Sequence, residues 1–140
     1  MYFITLYNMK KQINQVKEFN DAFKLPYSSS PVLIDLKMQE LRVNLLKEEI
    51  EEYAVANSSG NLVEVADAAA DILYLAFGLV IQHGLQDIIE NVFDAVQASN
   101  MSKLGSDGHP IYREDGKVIK GPGFFTPTKT IELELEKGGY

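Results

Sequence analysis

Carboxylates dominate the chemistry this chain can offer. Glu48-Glu49-Ile50-Glu51-Glu52 and Glu64-Val65-Ala66-Asp67, with Asp71 one turn further on, set acids three and four residues apart. On a helix, residues at that spacing face the same way, so each run can present two carboxylates to one ion. Two ionised carboxylates about 4 Å apart, at an effective dielectric of about 20, repel by roughly 4 kcal/mol, and desolvation adds to that cost. Four gathered acids therefore call for a cation or a proton. The chain has no cysteine, which removes thiol nucleophiles, disulfides and thiolate-bound zinc. Carboxylate-only coordination suits hard Mg²⁺, or Mn²⁺, which keep some waters and also bind phosphates.

The elements that must position these acids are helices. Met9, Ile13, Val16, Phe19, Ala22 and Phe23 recur at three- and four-residue steps and predict a first amphipathic helix over about 8–24, closed by Pro26 and Ser28-Ser29-Ser30-Pro31. A second, rich in Leu, Glu and Lys without internal Gly or Pro, is expected from Leu33 to Ala56 and is stopped by Asn57-Ser58-Ser59-Gly60. A third runs from Leu62 to Gln82 and ends at His83-Gly84, where glycine supplies a left-handed cap and His83 a partner for the helix dipole. A fourth covers Leu85 to about Ser102. Beyond Gly105, the turn dipeptides Asp107-Gly108 and Asp115-Gly116 suggest a short hairpin pairing Ile111-Tyr112-Arg113 with Lys117-Val118-Ile119. From Thr128 to Glu136 the pattern satisfies both periods and receives no assignment. The expected architecture is all-α and four-helix-bundle-like, one domain over 1–140, with a helical part at about 8–104 and a hairpin and tail at about 105–140.

At about 100° per residue, the second helix carries one apolar stripe through Leu36, Val43, Leu46, Ile50 and Tyr53, and another through Met38, Leu41 and Leu45. Continued, the second stripe reaches Glu49 and Glu52, while Glu51 falls on the polar face and Glu48 at its border. The third helix has its main apolar face through Leu62, Val65, Ala66, Ala69, Leu73, Ala76 and Val80, with Glu64, Asp67 and Asp71 on the opposite face, followed there by Tyr74, Leu75 and Gly78. A helix apolar nearly all round is central in its bundle, so its acids are expected to be partly buried. On the fourth helix the stripe Leu85, Ile88, Ile89, Val92 and Val96 continues to Asn100 and Lys103, which are expected to point inward.

The net charge of −7 disfavours a nucleic-acid polymer, which needs a basic surface. A small polyanion is still admissible where a bound divalent cation inverts the local field. No apolar run reaches the length of a membrane span, and the N-terminus lacks the order of a secretory signal. The expectation is a cytoplasmic protein with no membrane partner.

The two acidic runs resemble the EExxE and ExxD motifs of the all-α NTP pyrophosphohydrolase superfamily, which includes MazG, helical dUTPases and dCTPases, and phosphoribosyl-ATP pyrophosphohydrolase. The likeness extends over about Arg42 to Pro127. Glu64 to Tyr74 (EVADAAADILY), His83-Gly84, Ser99 to Lys103 (SNMSK) and Gly116 to Pro122 (GKVIKGP) are similar to the MazG-like, phosphoribosyl-ATP-pyrophosphohydrolase-like branch.

That resemblance implies hydrolysis of the α–β phosphoanhydride of a nucleoside triphosphate, with Mg²⁺ held by Glu49, Glu52, Glu64 and Asp67. Glu48 is then either the group that orients or deprotonates water or a surface glutamate, and Asp71 either an extra ligand or an acceptor behind the ligands. Asn100 and Lys103 are placed to meet phosphate or sugar oxygens. Lys117 and Lys120 either close over the same anion or sit on a solvated hairpin. Phe19 and Phe23 are either base-stacking rings or simple core. Three other readings stand beside the (d)NTP enzyme: a phosphoribosyl-ATP pyrophosphohydrolase, a non-catalytic helical oligomeric interaction protein, and a metal-binding regulator or nucleotide sensor that keeps the site but turns over poorly. Apolar surface on two sides of a helix predicts a homodimer or a dimer of dimers.

Overall fold

The structure, a computed structural model, describes residues 8–140. The chain divides into two compact units, the first reaching Gln86 and the second running from Asp87 to Tyr140.

In the first unit, α1 (Lys10–Ala22) buries Ile13, Val16 and Asn20, residues at helical spacing on one face. An irregular connection then leads to α2 (Leu36–Ser58). This helix starts later than the sequence suggests because Asp35 caps it, its carboxylate accepting from the Met38 amide at 2.8 Å. Leu33 instead lies in a connection tied to the end of the third helix: the Ser28 amide donates to the Ile81 carbonyl at 3.0 Å and the Val32 amide to the His83 carbonyl at 3.0 Å. α3 (Leu62–Gln82) has the predicted bounds, capped by Asn61, whose side chain accepts from the Glu64 amide. His83 follows at the C-cap with Nδ1 2.8 Å from the Val32 carbonyl oxygen. Gly84 has φ +66, and a Cβ there would lie 1.9 Å from the Ser30 carbonyl oxygen, so both its conformation and the close approach of the connection require glycine.

α3 packs against both α1 and α2. Its buried positions include Ala68, Gly78, Val80, Ile81 and Gln82. The stripe expected to be its main buried face is not buried as a whole, since Leu62 is 78% and Leu73 59% exposed. α2 shows the same departure: Leu36, Leu41, Val43, Ile50 and Tyr53 are exposed. Helical periodicity finds apolar rows but does not say whether this chain covers them.

In the second unit, α4 (Ile89–Met101) packs against α5 (Thr128–Lys137). α4 begins later than expected because the Leu85 amide bonds back to the Val80 carbonyl and completes the end of α3. The unassigned Thr128–Glu136 segment is helical: Glu134 is buried, accepting from the Asn91 amide nitrogen at 3.0 Å and from the Lys137 ammonium at 2.6 Å. The expected hairpin is reduced to one antiparallel bridge, Tyr112 with Val118, around a turn at Gly116. The five helices are the only regular elements among the described residues, and none is long and apolar enough to cross a membrane. The class is all-α, as the sequence indicates.

Candidate metal and nucleotide site

Residues 38, 42, 45, 49 and 52 follow one another at four- and three-residue steps along α2, so Met38, Arg42, Leu45, Glu49 and Glu52 form a single row. The matching row on α3 is Glu64, Asp67, Asp71, Leu75, Gly78 and Gln82. The helices run antiparallel. The Arg42 Nε donates to the Gln82 Oε1 at 2.5 Å at one end of their interface, and Glu52 and Glu64 line a common cleft at the other.

Glu49 is the focus of the acidic end. It is half-buried, and its Oε2 is shut from solvent without a hydrogen-bond partner. Burial pushes its carboxyl above the ordinary range, and the charges of Glu52, Asp71, Glu48 and Asp67 push it further. Those four acids from two helices are thus all within electrostatic reach of Glu49. Glu48, Glu52 and Glu64 border a cleft of about 440 Å³ together with Glu51 and Ser59. The partial burial expected for the acids of the third helix is not found, and the half-buried acid of the cluster is Glu49, on α2. Glu48, Glu52, Glu64, Asp67 and Asp71 are exposed, because a carboxylate open to water keeps its hydration, which for like charges side by side is the lower-energy choice. Glu51, set on the polar face by periodicity, is exposed and also on the cleft wall.

Among the described residues no three acids stand close enough to form a ready ligand cage. The donor set nonetheless fits a hard divalent cation. It consists of carboxylate oxygens, one of them buried without a partner, and their mutual repulsion is what a cation would relieve.

Asn100 and Lys103 are brought together in the second unit, where the Lys103 Nζ donates to the Asn100 Oδ1 at 2.8 Å. Asn100 is exposed rather than inward; the buried polar residue on that helix is its neighbour Ser99, whose hydroxyl donates to the Phe125 carbonyl at 2.8 Å. Lys117 and Lys120 are exposed, the latter's ammonium lying 4.4 Å from the centre of the Phe124 ring. The Gly121 amide donates to the Lys103 carbonyl at 2.9 Å, which ties the segment after Lys120 to the end of α4.

Sequence reasoning missed three buried polar side chains in the first unit: Asn20, Arg42 and Gln82. A signal for Arg42 was present. It stands four residues after Met38 and three before Leu45, on the row already read as inward. The same signal marks Asn20, four residues after Val16, and Gln82, four after Gly78, each on a row of inward residues.

Two acidic rows thus face each other across an antiparallel helix pair in an all-α protein. The chain belongs to the phosphoribosyl-ATP pyrophosphohydrolase family, whose model matches residues 16–100. It is similar to a protein from Exiguobacterium sp. 255-15 whose crystal structure is described as that of a candidate NTP pyrophosphohydrolase, at 27% identity and a TM-score of 0.50, covering 90% of this chain and 94% of that one. It is also 37% identical over 78 residues to an uncharacterized protein of Acanthamoeba polyphaga mimivirus; the match covers 51% of this chain and 31% of the viral protein. The all-α, MazG-type fold accounts for both the helix order and the acidic rows.

Proposed function

We propose that this protein is a Mg²⁺-dependent nucleoside triphosphate pyrophosphohydrolase, adding water across the α–β phosphoanhydride of a (d)NTP to give a monophosphate and pyrophosphate. The observation that carries the reading is Glu49, a carboxylate with a buried, unpartnered oxygen among four further acids. Family membership supplies the reaction class.

Glu49, Glu52, Glu64 and Asp67 are the proposed metal ligands, and Asp71, which acts on Glu49 electrostatically, is a further ligand or an acceptor behind them. When bound, Mg²⁺ would neutralise phosphate charge and lower the pKa of a coordinated water. Glu48, exposed on the wall of the same cleft, would accept the proton that the attacking water gives up. Asn100 and Lys103, already paired, and Lys117 and Lys120 are the proposed contacts for phosphate or sugar oxygens. The partners are a nucleoside triphosphate and, through the exposed apolar rows, a second copy of the chain as a homodimer or dimer of dimers. No nucleic-acid polymer is expected.

The description of the matching family model favours one second reading, phosphoribosyl-ATP as substrate. A panel of canonical (d)NTPs and phosphoribosyl-ATP, assayed for pyrophosphate release with Mg²⁺, decides between them. Release is expected from at least one (d)NTP and to be abolished in Glu49→Gln and Asp67→Asn. If no compound on the panel is turned over above the level of the variants, the catalytic reading is wrong and the helical interaction protein takes its place.

A further inference from the structure

Next to the acidic end of the α2–α3 interface lies a second cavity, of about 280 Å³, walled by α1, α2 and α3. Close-packed interiors leave few voids larger than a water molecule, whereas ligand pockets begin at about 300 Å³. This space is far larger than a packing void and approaches the size of a small-ligand pocket. Leu45, Tyr74 and Leu75 form part of its wall, and Phe19 meets Tyr74 edge-on with ring centroids 5.7 Å apart. Leu45 stands one turn before Glu49 and Leu75 one turn after Asp71, a rise of about 6 Å along each helix. A nucleotide whose phosphates meet the acids has its base at this distance.

The polar groups around the cavity are donors. Asn20 is 1% exposed, lines the cavity, and has an amide nitrogen without a hydrogen-bond partner. Arg42 is buried with no ion-pair partner among the described residues, and burial lowers its pKa. Its Nε is taken by the Gln82 Oε1, the Gln82 Nε2 is engaged with the Met38 sulfur at 3.2 Å, which fixes the amide, and the Nη groups stand beside Gly78 on the cavity wall. An unpaired buried donor costs about 1–3 kcal/mol and more when charged, so donors of this kind discriminate strongly for a ligand that satisfies them.

We propose, building on the pyrophosphohydrolase reading, that this cavity receives the base of the nucleotide, and that Asn20 and Arg42 select bases with an oxygen at the 4-position of a pyrimidine or the 6-position of a purine, as in uracil and guanine, over cytosine and adenine, which carry an amino group there. Arg42 and Asn20 supply N–H groups to the base oxygens, and Gln82 is a positioning residue that holds the guanidinium.

The test is a titration of the isotope-labelled full chain with uridine, guanosine, cytidine and adenosine, none of which carries phosphate or needs metal, while the side-chain amide signals of Asn20 and Gln82 are followed by NMR. Uridine or guanosine is expected to shift both signals and to bind at least about tenfold more tightly than cytidine and adenosine. In Asn20→Leu, checked for folding by its melting curve, that preference is expected to fall about tenfold. Three results overturn the proposal: no shift with any nucleoside, equal binding of all four, or a shift produced by inorganic pyrophosphate instead. The pyrophosphate-release panel is independent of these outcomes. Nucleoside binding without turnover would sink the catalytic reading and leave the pocket, and turnover without nucleoside binding would do the reverse.

Discussion

A carboxyl oxygen enclosed without a partner and flanked by other acids destabilises the metal-free protein, and Glu49 is in that position. The sign of the pH dependence follows from its raised pKa. Between the ordinary carboxylate range and the raised value, the folded state holds a proton that the unfolded chain has lost, so stability falls as pH rises through that window. Above it the penalty is complete. Glu49→Gln should therefore melt higher than wild type at neutral pH in the presence of chelator, and the difference should vanish as pH drops below the ordinary range. Equal melting curves at every pH would remove Glu49 from the centre of the acidic cluster. Added Mg²⁺ should reverse the order, since a ligand at 100 times its Kd stabilises by about 2.7 kcal/mol and the variant has lost a ligand.

At the scale of elements, the site depends on where α2 starts and how closely it approaches α3. Asp35 sets the start, and Asp35→Ala should cost about 1 kcal/mol in urea denaturation. Gly78 sets the approach, because a Cβ there would lie 2.6 Å from the Arg42 Nη1. Overpacking of this kind costs about 1–3 kcal/mol, against a gain in helix propensity of about 1 kcal/mol for replacing glycine. A net loss of stability in Gly78→Ala would show that the guanidinium cannot yield. A net gain would show Arg42 free to move. α5 was illegible for a related reason: Thr128–Glu136 fits two periods, and contact with α4, through Glu134 and Asn91, selects the helical one.

For the whole molecule, Leu62 and Val63, each 78% exposed, and Leu73, 59% exposed, leave apolar surface on α3 that a soluble chain normally covers. A second copy is the expected cover. Light scattering coupled to size exclusion should give a dimer or tetramer for wild type and a smaller species for Leu73→Lys, and a clean wild-type monomer at micromolar concentration would contradict this.

The sequence by itself determined the all-α class and the bounds of α3, because helical period and capping residues are local properties carried by consecutive residues. It also determined the family, through motifs that lie within single helices. Only the tertiary structure decided that Leu62 and Leu73 face outward, that Glu49 alone among the acids of the two motifs is half-buried, and that Arg42 meets Gln82 across forty residues of chain. Burial and pairing belong to two elements at once, and a periodic pattern along one helix contains no information about the face its neighbour presents.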